Sequence, residues 1–190
     1  ATPIAWPAIV ILPPDDPAAL ARVHAPLDRY DLAFFISANA AEYGAPPVGR
    51  WPAGLRAYAP GPGTAEALAG VGVSDVRVPT TSFDSDGLLA LPELDDVRGK
   101  RVIIFRGSGG REQLAETLAH RGAAVESVDC YRRAAPAGDA RGLVDVLREG
   151  RAHALTLTSS EGADNLMRAV GDDGRALLAR IPAFVPHPRI

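Results

Sequence analysis

The sequence has little of what marks a secreted, membrane-spanning or nucleic-acid-binding protein. Among 190 residues there is one cysteine, Cys130, which excludes an internal disulfide bond and fits a reducing compartment. No apolar run approaches the ~20 residues that a membrane-spanning helix needs. The formal net charge of −3 provides no basic field that would attract nucleic acid. We therefore expect a cytoplasmic globular protein.

Sequence motifs for nucleotides and metals are missing as well. The glycine-rich segment 107–110 departs from the dinucleotide-binding fingerprint, because Glu112 stands where that fingerprint needs its last glycine. The sequence contains no phosphate-binding loop of the Gly-Lys-Ser type. Its four histidines lie far apart, and none of them joins a metal-ligand motif. We therefore expect no nucleotide cofactor and no metal, and a nucleotide-dependent group-transfer enzyme is the weakest alternative.

Continuous apolar runs are the main structural signal in the chain. Residues 8–12 and 32–36 form such runs, and the clearest predicted strand, 101–105, is apolar after Arg101; such runs are typical of strands buried on both faces of a parallel sheet. A helix is predicted to start at Asp16-Pro17, because Asp is a favourable N-cap and Pro suits the first helical position. Strands that alternate with helices in this way predict an α/β fold with doubly wound parallel sheets.

Similar features recur in the same order in the two halves of the chain. Asp16 precedes a predicted helix, and Ser37 follows a predicted strand 21 positions later. Asp139 and Ser159 repeat this arrangement at a separation of 20 positions. We interpret the recurrence as a duplicated unit, hence two related lobes, although any two βα units share such features. The order of the elements also leads us to expect that the natural protein extends at both ends.

Polar turns follow several of the predicted strands. Ligands of open α/β sheets bind beyond the carboxyl ends of the strands, where backbone N–H groups and hydroxyls suit carboxylates or phosphates. Taken singly, each Ser, Thr or Asn in these turns is better interpreted as an ordinary helix cap. The candidate residues are Ser37, Ala38 and Asn39; Gly61, Pro62, Gly63 and Thr64; Arg106, Gly107 and Gly109; Ser159 and Ser160; and His187 with Pro186 and Pro188.

Candidates for acid–base chemistry are few. Tyr131 ends a predicted strand just before Arg132 and Arg133, which brings a phenol and two cations close to the linking segment 134–138. The alternative for Tyr131 is a packing role in which backbone groups satisfy the hydroxyl. Cys130, beside it, is better interpreted as a core thiol than as a nucleophile.

The order and spacing of these motifs resemble the uroporphyrinogen-III synthase family over nearly the whole chain, from about Pro7 to Arg189. No single motif carries the resemblance, because this family has few fixed residues. The motifs that carry it together are Ser37-Ala38-Asn39, Gly61-Pro62-Gly63-Thr64-Ala65, Asp86-Gly87-Leu88-Leu89, Gly99-Lys100-Arg101-Val102, Arg106-Gly107, Gly109-Gly110-Arg111, Tyr131-Arg132-Arg133 and Thr158-Ser159-Ser160.

For the fold, the resemblance implies two α/β lobes joined by a two-stranded linker, with a small-molecule site in the cleft between them. The chain would cross between lobes near residues 11–16 and 130–137. The inserted lobe would comprise residues 15–133. The other lobe would combine residues 1–14 with 134–190, and we expect it to be incomplete at both ends.

For function, the resemblance implies the cyclisation of hydroxymethylbilane to uroporphyrinogen III, with inversion of ring D, loss of water and no cofactor. Tyr131 would assist departure of the substrate hydroxyl. The cleft would be lined by Ser37, Thr64, Ser82, Ser159 and Ser160, with the turns around Gly61, Gly107 and Pro186. The turn at His187 departs from the Gly-Pro-x-Thr-like pattern that family members often have. The expected protein is a monomer that receives its substrate from the preceding deaminase.

Two other classes of protein fit the same pattern. A non-catalytic two-lobed protein that binds a small anion, or a sensor domain, would have a similar cleft and no need for Tyr131. A degenerate or fused synthase domain within a larger polypeptide is the other alternative.

Overall fold

The computed structural model describes residues 2–47, 49–186 and 190, along which strands and helices alternate. The strands are β1 (Val10–Leu12), β2 (Leu32–Phe35), β3 (Arg56–Tyr58), β4 (Val76–Arg77), β5 (Arg101–Gly107), β6 (Ala124–Ala134), β7 (Leu155–Thr156) and β8 (Ala183–Phe184). The helices are α1 (Pro17–His24), α2 (Ala38–Gly44), α3 (Pro62–Gly70), α4 (Ser85–Leu89), α5 (Gln113–His120), α6 (Arg141–Arg148) and α7 (Ser160–Leu178), with short 3-10 helices at Leu27–Arg29 and Pro92–Leu94. The α/β class predicted from the sequence is confirmed.

The chain divides into two compact units. The larger is Ile11–Arg132, and the smaller combines Ala1–Val10 with Arg133–Ile190. Three features stay predictions. They are the structural relation between the two lobes, the two-stranded linker and the bounds 15–133 of the inserted lobe.

A six-stranded sheet with the order β1-β6-β5-β2-β3-β4 forms the centre of the larger unit. The pairs β2–β3, β2–β5, β3–β4 and β5–β6 are parallel. Phe34 and Phe35 are neighbours in β2, and both are fully buried, each in a different core cluster. Because helices cover both faces of the sheet, a strand such as β2 is apolar throughout rather than alternating.

Each face of this sheet has its own apolar layer. One layer joins Phe35 and Phe105 to buried residues of α1, α2 and α3, and the other joins Phe34 and Ile104 to buried residues of α4 and α5. Phe35 stacks on Phe105 with 4.4 Å between the ring centroids. Burial of one such side chain stabilises the fold by roughly 2 kcal/mol. The two layers hold the carboxyl ends of β2, β3, β5 and β6 at one edge, which is called the carboxyl edge below.

Side chains that the sequence suggested as caps do start helices. Asp16 Oδ1 accepts the N–H of Ala18 at 3.1 Å, and Pro17 is the first residue of α1. Ser37 Oγ accepts the N–H of Ala40 at 3.0 Å at the start of α2. Each cap satisfies a backbone donor that a helix otherwise leaves unpaired. The cap at Ser37 fixes where the chain turns from β2 into α2 at the carboxyl edge.

In the smaller unit, β7 and β8 pair in parallel, with Leu155 opposite Ala183. The core of this unit is formed by Ala140, Leu147, Leu166, Val170 and Leu178. The helix predicted to follow Asp139 begins at Arg141, and Asp139 Oδ1 accepts the N–H of that residue at 3.0 Å. Asn165 on α7 donates to the carbonyl oxygen of Ala8 at 2.9 Å and ties the two chain segments of the unit together.

With 19 residues, α7 is the longest helix that the structure describes. Gly171 interrupts it, because its φ of 64° lies in the left-handed region that glycine enters at little cost. Neither α7 nor any other helix in the described part of the chain is long and apolar enough to cross a membrane.

Candidate active site

A β-bulge at the ends of β5 and β6 decides which side chains reach the carboxyl edge together. Arg106 is paired with Asp129, but the next residue, Gly107, is paired with Tyr131, so that Cys130 is the extra residue. Neighbouring residues of a regular strand face opposite sides of a sheet. Because of the bulge, Cys130 and Tyr131 lie in the same core cluster, with 0% and 4% of their surfaces exposed.

The hydroxyl of Tyr131 lies 3.1 Å from Ser37 Oγ. Ser37 Oγ already accepts the N–H of Ala40, and a hydroxyl has one proton and two acceptor sites. Ser37 can therefore donate its proton to the phenol oxygen or accept the phenol proton at its remaining acceptor site. This contact joins Ser37, two positions after the end of β2, to Tyr131 of β6, and β5 lies between these two strands in the sheet.

The backbone around Gly107 forms the support under the Tyr131 ring. A Cβ atom at Gly107 would lie 2.5 Å from Tyr131 Cζ and 2.9 Å from the phenol oxygen, so only glycine leaves room for the ring. The N–H of Ser108 donates to the carbonyl oxygen of Tyr131 at 2.9 Å. The phenol is thus held by Ser37 at its oxygen, by Gly107 at its ring and by Ser108 at its backbone.

The neighbours of Tyr131 do not provide a reactive thiol. Burial raises the pKa of the Cys130 thiol to about 12, which keeps it protonated at neutral pH. A Cβ atom at Gly44 would lie 2.6 Å from Cys130 Sγ, so α2 packs directly on this thiol. The interpretation of Cys130 as a core thiol is confirmed.

Arg106 was predicted to bind substrate, and the structure places it between two carboxylates. Its Nε donates to Asp129 Oδ1 at 3.1 Å, and its Nη1 donates to Glu112 Oε1 at 2.7 Å. Burial of the guanidinium opposes its charge, but the hydrogen bonds with Glu112 and Asp129 outweigh that effect and raise its pKa. The charge of Arg106 is therefore largely matched within the protein.

The remaining candidates in the larger unit lie in the loops and first helical turns at this edge. Ala38 and Asn39 open α2, whereas Gly61 immediately precedes α3. Pro62, Gly63 and Thr64 form the first turn of α3, where Thr64 is buried. Gly109 turns the chain between β5 and α5 with a φ of 74°. The hydroxyl of Ser82 is hydrogen-bonded to Asp84.

The other predicted residues belong to the smaller unit. Ser159 caps α7, since its Oγ accepts the N–H of Gly162 at 3.1 Å, and Ser160 is the first residue of that helix. The capping interpretation is thus confirmed for Ser159. His187 lies outside the described residues.

A pocket of about 310 Å³ opens at the carboxyl edge, on the face of the sheet that α4 and α5 cover. Its apolar floor is formed by Ile36, Leu88, Ile104 and Leu114. Phe83 stands at its wall with 61% of its surface exposed. Its charged residues are Asp84, Asp86, Arg106 and Arg111. Only Arg106 among these was predicted from the sequence to bind substrate. The position of Arg111, directly after the turn at Gly109-Gly110, was the sequence feature that could have indicated it as well.

No group of three or more His, Cys, Asp or Glu side chains in the described part of the chain is placed to hold a metal ion. The groups that the described residues present at this edge are a positioned phenol, hydroxyls, backbone N–H groups and guanidinium groups. Such groups can bind carboxylates and transfer a proton.

A family model described as uroporphyrinogen-III synthase HemD matches residues 1–190. The chain belongs to the uroporphyrinogen-III synthase family. This membership confirms the resemblance that the order of motifs indicated.

Curated members of the uroporphyrinogen-III synthase family are similar to this chain over part of their length. The synthase of Salmonella typhimurium is 41% identical over 138 residues, which are 70% of this chain and 56% of that protein. The synthase of Escherichia coli is 37% identical over 138 residues, with the same two shares, and that of Proteus mirabilis is 39% identical over 111 residues. The chain thus spans 56% of the length of these curated relatives.

A solved structure from the family has the same fold. A mutant uroporphyrinogen III synthase from the extremely thermophilic bacterium Thermus thermophilus matches with a TM-score of 0.53 and 21% identity. The match covers 97% of this chain and 75% of the Thermus chain. At 21% identity this similarity supports the fold alone. The roles of individual residues are argued from the local geometry.

Proposed function

We propose that this protein cyclises hydroxymethylbilane to uroporphyrinogen III, with inversion of ring D and loss of water. Membership of the family and the names of the curated relatives support the reaction. The observation that carries the proposal is the Tyr131 phenol, held by Ser37 at the carboxyl edge of the sheet. A phenolic hydroxyl has a proton that it can donate.

In the proposed first step, Tyr131 donates its proton to the hydroxyl group of the substrate. The C–O bond breaks with its electron pair on oxygen, water leaves, and the adjacent pyrrole becomes an azafulvene that keeps its N–H proton and therefore carries a positive charge. The phenolate that remains then accepts the proton of Ser37 Oγ in a hydrogen bond. Because the Tyr131 ring is shielded from water, this bond stabilises the phenolate more strongly than it would in solvent.

In the proposed second step, the substituted carbon of ring D attacks the azafulvene and forms a spiro intermediate. The intermediate fragments and recloses, and loss of a proton restores the aromatic pyrroles. These steps need no group beyond one that takes up a proton, and the Tyr131 phenolate is placed to do so. The role of the protein is then to orient ring D faster than the non-inverted closure occurs.

The carboxylates of the substrate would be held by backbone N–H groups and hydroxyls of the predicted turns. In the larger unit these include Ser37, Thr64, Ser82 and the turns at Gly61, Gly107 and Gly109, and in the smaller unit Ser159 and Ser160. Arg106 enters the proposal through Nη2, because its Nε and Nη1 are engaged by Asp129 and Glu112.

Several predictions made from the sequence belong to the same proposal. They are the pair of related lobes on a two-stranded linker, the monomeric state, the cytoplasmic location and the transfer of substrate from the preceding deaminase. Support for the two lobes comes from the division of the chain into two compact units. The single cysteine supports a reducing compartment.

The test is a coupled assay in which hydroxymethylbilane is generated in situ, the products are oxidised, and isomers I and III are separated by chromatography. We expect isomer III to dominate with this protein. Tyr131→Phe should lower the rate of isomer III formation by about 10²-fold, because it removes the proton donor and keeps the ring over Gly107. Tyr43→Phe is the matched control, since Tyr43 lies beside Tyr131, with 6.3 Å between ring centroids, and is 38% exposed.

Two results would change the proposal. Isomer I alone, at the level without enzyme, would reject the synthase activity and favour the non-catalytic binder of small anions. Equal rates for Tyr131→Phe and Tyr43→Phe would keep the activity and remove Tyr131 from the mechanism.

A further inference from the structure

The two arginines of the pocket between α4 and α5 differ in what they already bind. Arg106 donates to Asp129 and Glu112, and only 16% of its side chain is exposed. Arg111 is exposed, and no carboxylate of the described residues lies within 4 Å of it in a salt bridge. Arg111 is therefore the cation of this pocket whose hydrogen-bonding capacity is available to a ligand.

The acidic side chains of the same pocket are held in place by hydrogen bonds. Asp84 Oδ1 accepts the N–H of Gly87 at 2.8 Å, and this bond, followed by that of the Ser82 hydroxyl, holds the pKa of Asp84 below its usual value. Asp86 Oδ1 accepts from Gln113 Nε2 at 2.7 Å. The charge of Arg111 also lowers the pKa of Asp84, more weakly than these hydrogen bonds, and both carboxylates keep their remaining acceptor sites.

The size and the floor of the pocket restrict its ligand further. A volume of about 310 Å³ is at the lower limit of the ~300–1,000 Å³ typical of small-molecule sites, which is room for one substituted ring and not for a whole tetrapyrrole. The apolar floor of Ile36, Leu88 and Ile104 suits the face of a flat ring. A ligand that fits combines an apolar ring, an anionic arm for Arg111 and an N–H donor for an aspartate.

We propose that this pocket binds one pyrrole ring of the substrate, with a side-chain carboxylate of that ring on Arg111 and its pyrrole N–H directed at Asp84 or Asp86. The inference rests on the proposed function, because that function supplies a substrate made of carboxylated pyrroles. Ile36 lies on the pocket floor and is followed directly by Ser37, which holds the phenol of Tyr131. A ring bound in the pocket would thus lie at the same carboxyl edge of the sheet as the proton donor, whose own side chain belongs to the core layer of the other face.

The first measurement uses porphobilinogen, a monopyrrole with one acetate and one propionate arm, as a binding probe for the full chain. We expect chemical-shift changes of methyl groups in NMR spectra to concentrate at Ile36, Leu88, Ile104 and Leu114. Arg111→Gln should weaken the binding about ten-fold, because it removes a charge-assisted hydrogen bond, and Arg111→Lys should restore part of it. Arg98→Gln is the control, since Arg98 is also exposed and pairs with Asp96 outside this pocket.

Three results would overturn the inference. They are shifts located elsewhere on the protein, an affinity that Arg111→Gln leaves unchanged, and acetate binding in the pocket as tightly as the pyrrole. The last result would mean that the pocket selects an anion and not a ring. Because Arg111 is exposed, we expect its variants to fold, and an unchanged circular dichroism spectrum checks this.

The outcome of the coupled assay separates this inference from the proposed function. If isomer III forms and Arg111→Gln leaves its KM unchanged, the pocket proposal is wrong and the synthase activity stands. If only isomer I forms while the pyrrole still binds through Arg111, the synthase activity is wrong and only the binding of a carboxylated pyrrole in this pocket stands. An increase in KM of about ten-fold with a smaller change in kcat would support both.

Discussion

Gly107→Ala should destabilise the larger unit, because the added methyl group would collide with the ring of Tyr131. The new Cβ atom would lie 2.5 Å from Tyr131 Cζ and 2.7 Å from Cε2, about 1 Å short of the 3.4 Å at which ordinary contact begins. Gly107 is not among the glycines with positive φ, so its backbone conformation accepts alanine. The predicted effect is therefore a steric effect on the Tyr131 ring.

The expected cost has two parts. Overpacking of a core typically costs ~1–3 kcal/mol, and a displaced ring also loses the hydrogen bond with Ser37, at ~1 kcal/mol. With a urea m-value of ~2 kcal/mol/M, the midpoint of unfolding should decrease by about 1–2 M. Isomer III formation should decrease as well, because the phenol moves away from its position.

Tryptophan fluorescence provides the assay. The chain has two tryptophans, so a Trp6→Phe background leaves Trp51 as the reporter of the larger unit, in which it packs near Phe35. Gly70→Ala is the control, because Gly70 ends α3 with open space around its Cβ position, and alanine there should be neutral or stabilising by up to ~1 kcal/mol.

A double-mutant cycle isolates the cause. In a Tyr131→Ala background the ring is absent, so Gly107→Ala should cost little there. An equal cost in both backgrounds, or no cost in the parent, would refute the idea that Gly107 is present to accommodate Tyr131.

Three further predictions concern other contacts. Gly87→Ala should destabilise the larger unit by about 3 kcal/mol or more, because its Cβ atom would overlap the carbonyl oxygen of Ser82; a urea midpoint equal to that of the parent would contradict this. Iodoacetamide should leave Cys130 unmodified at pH 8 in the folded protein and alkylate it in urea, because burial raises its pKa to about 12; rapid labelling of the native state, measured by mass spectrometry, would show that the thiol is accessible. Asp31→Asn should be destabilising at pH 7, and less so toward pH 3. The backbone N–H of Arg101 and then Lys100 hold the pKa of Asp31 below 3.8, so its stabilisation is present above that value and lost as the carboxylate protonates; a difference in urea midpoint that is constant with pH would argue against this.

Much of the fold could be predicted because it depends on local patterns. The run at residues 32–36 is apolar throughout because both faces of β2 are covered. The residue types alone therefore indicate a strand that is buried on both faces. The starts of α1 and α2 at Asp16 and Ser37 follow from capping side chains that act within three residues. The family resemblance rests on the same local motifs in order.

The candidate site needed the tertiary structure, because its contacts depend on strand register and on partners distant in sequence. The sequence by itself supplied Tyr131, Ser37 and Gly107 as separate candidates, together with Arg106. The 3.1 Å contact between Ser37 and Tyr131, 94 positions apart, exists only because a bulge shifts the register of β5 against β6. Just before the bulge, the register sets Arg106 against Asp129, whereas Arg111 forms no salt bridge among the described residues. Local patterns determine which residues can form a strand or a cap, whereas pairing between strands determines which charges and hydroxyls meet.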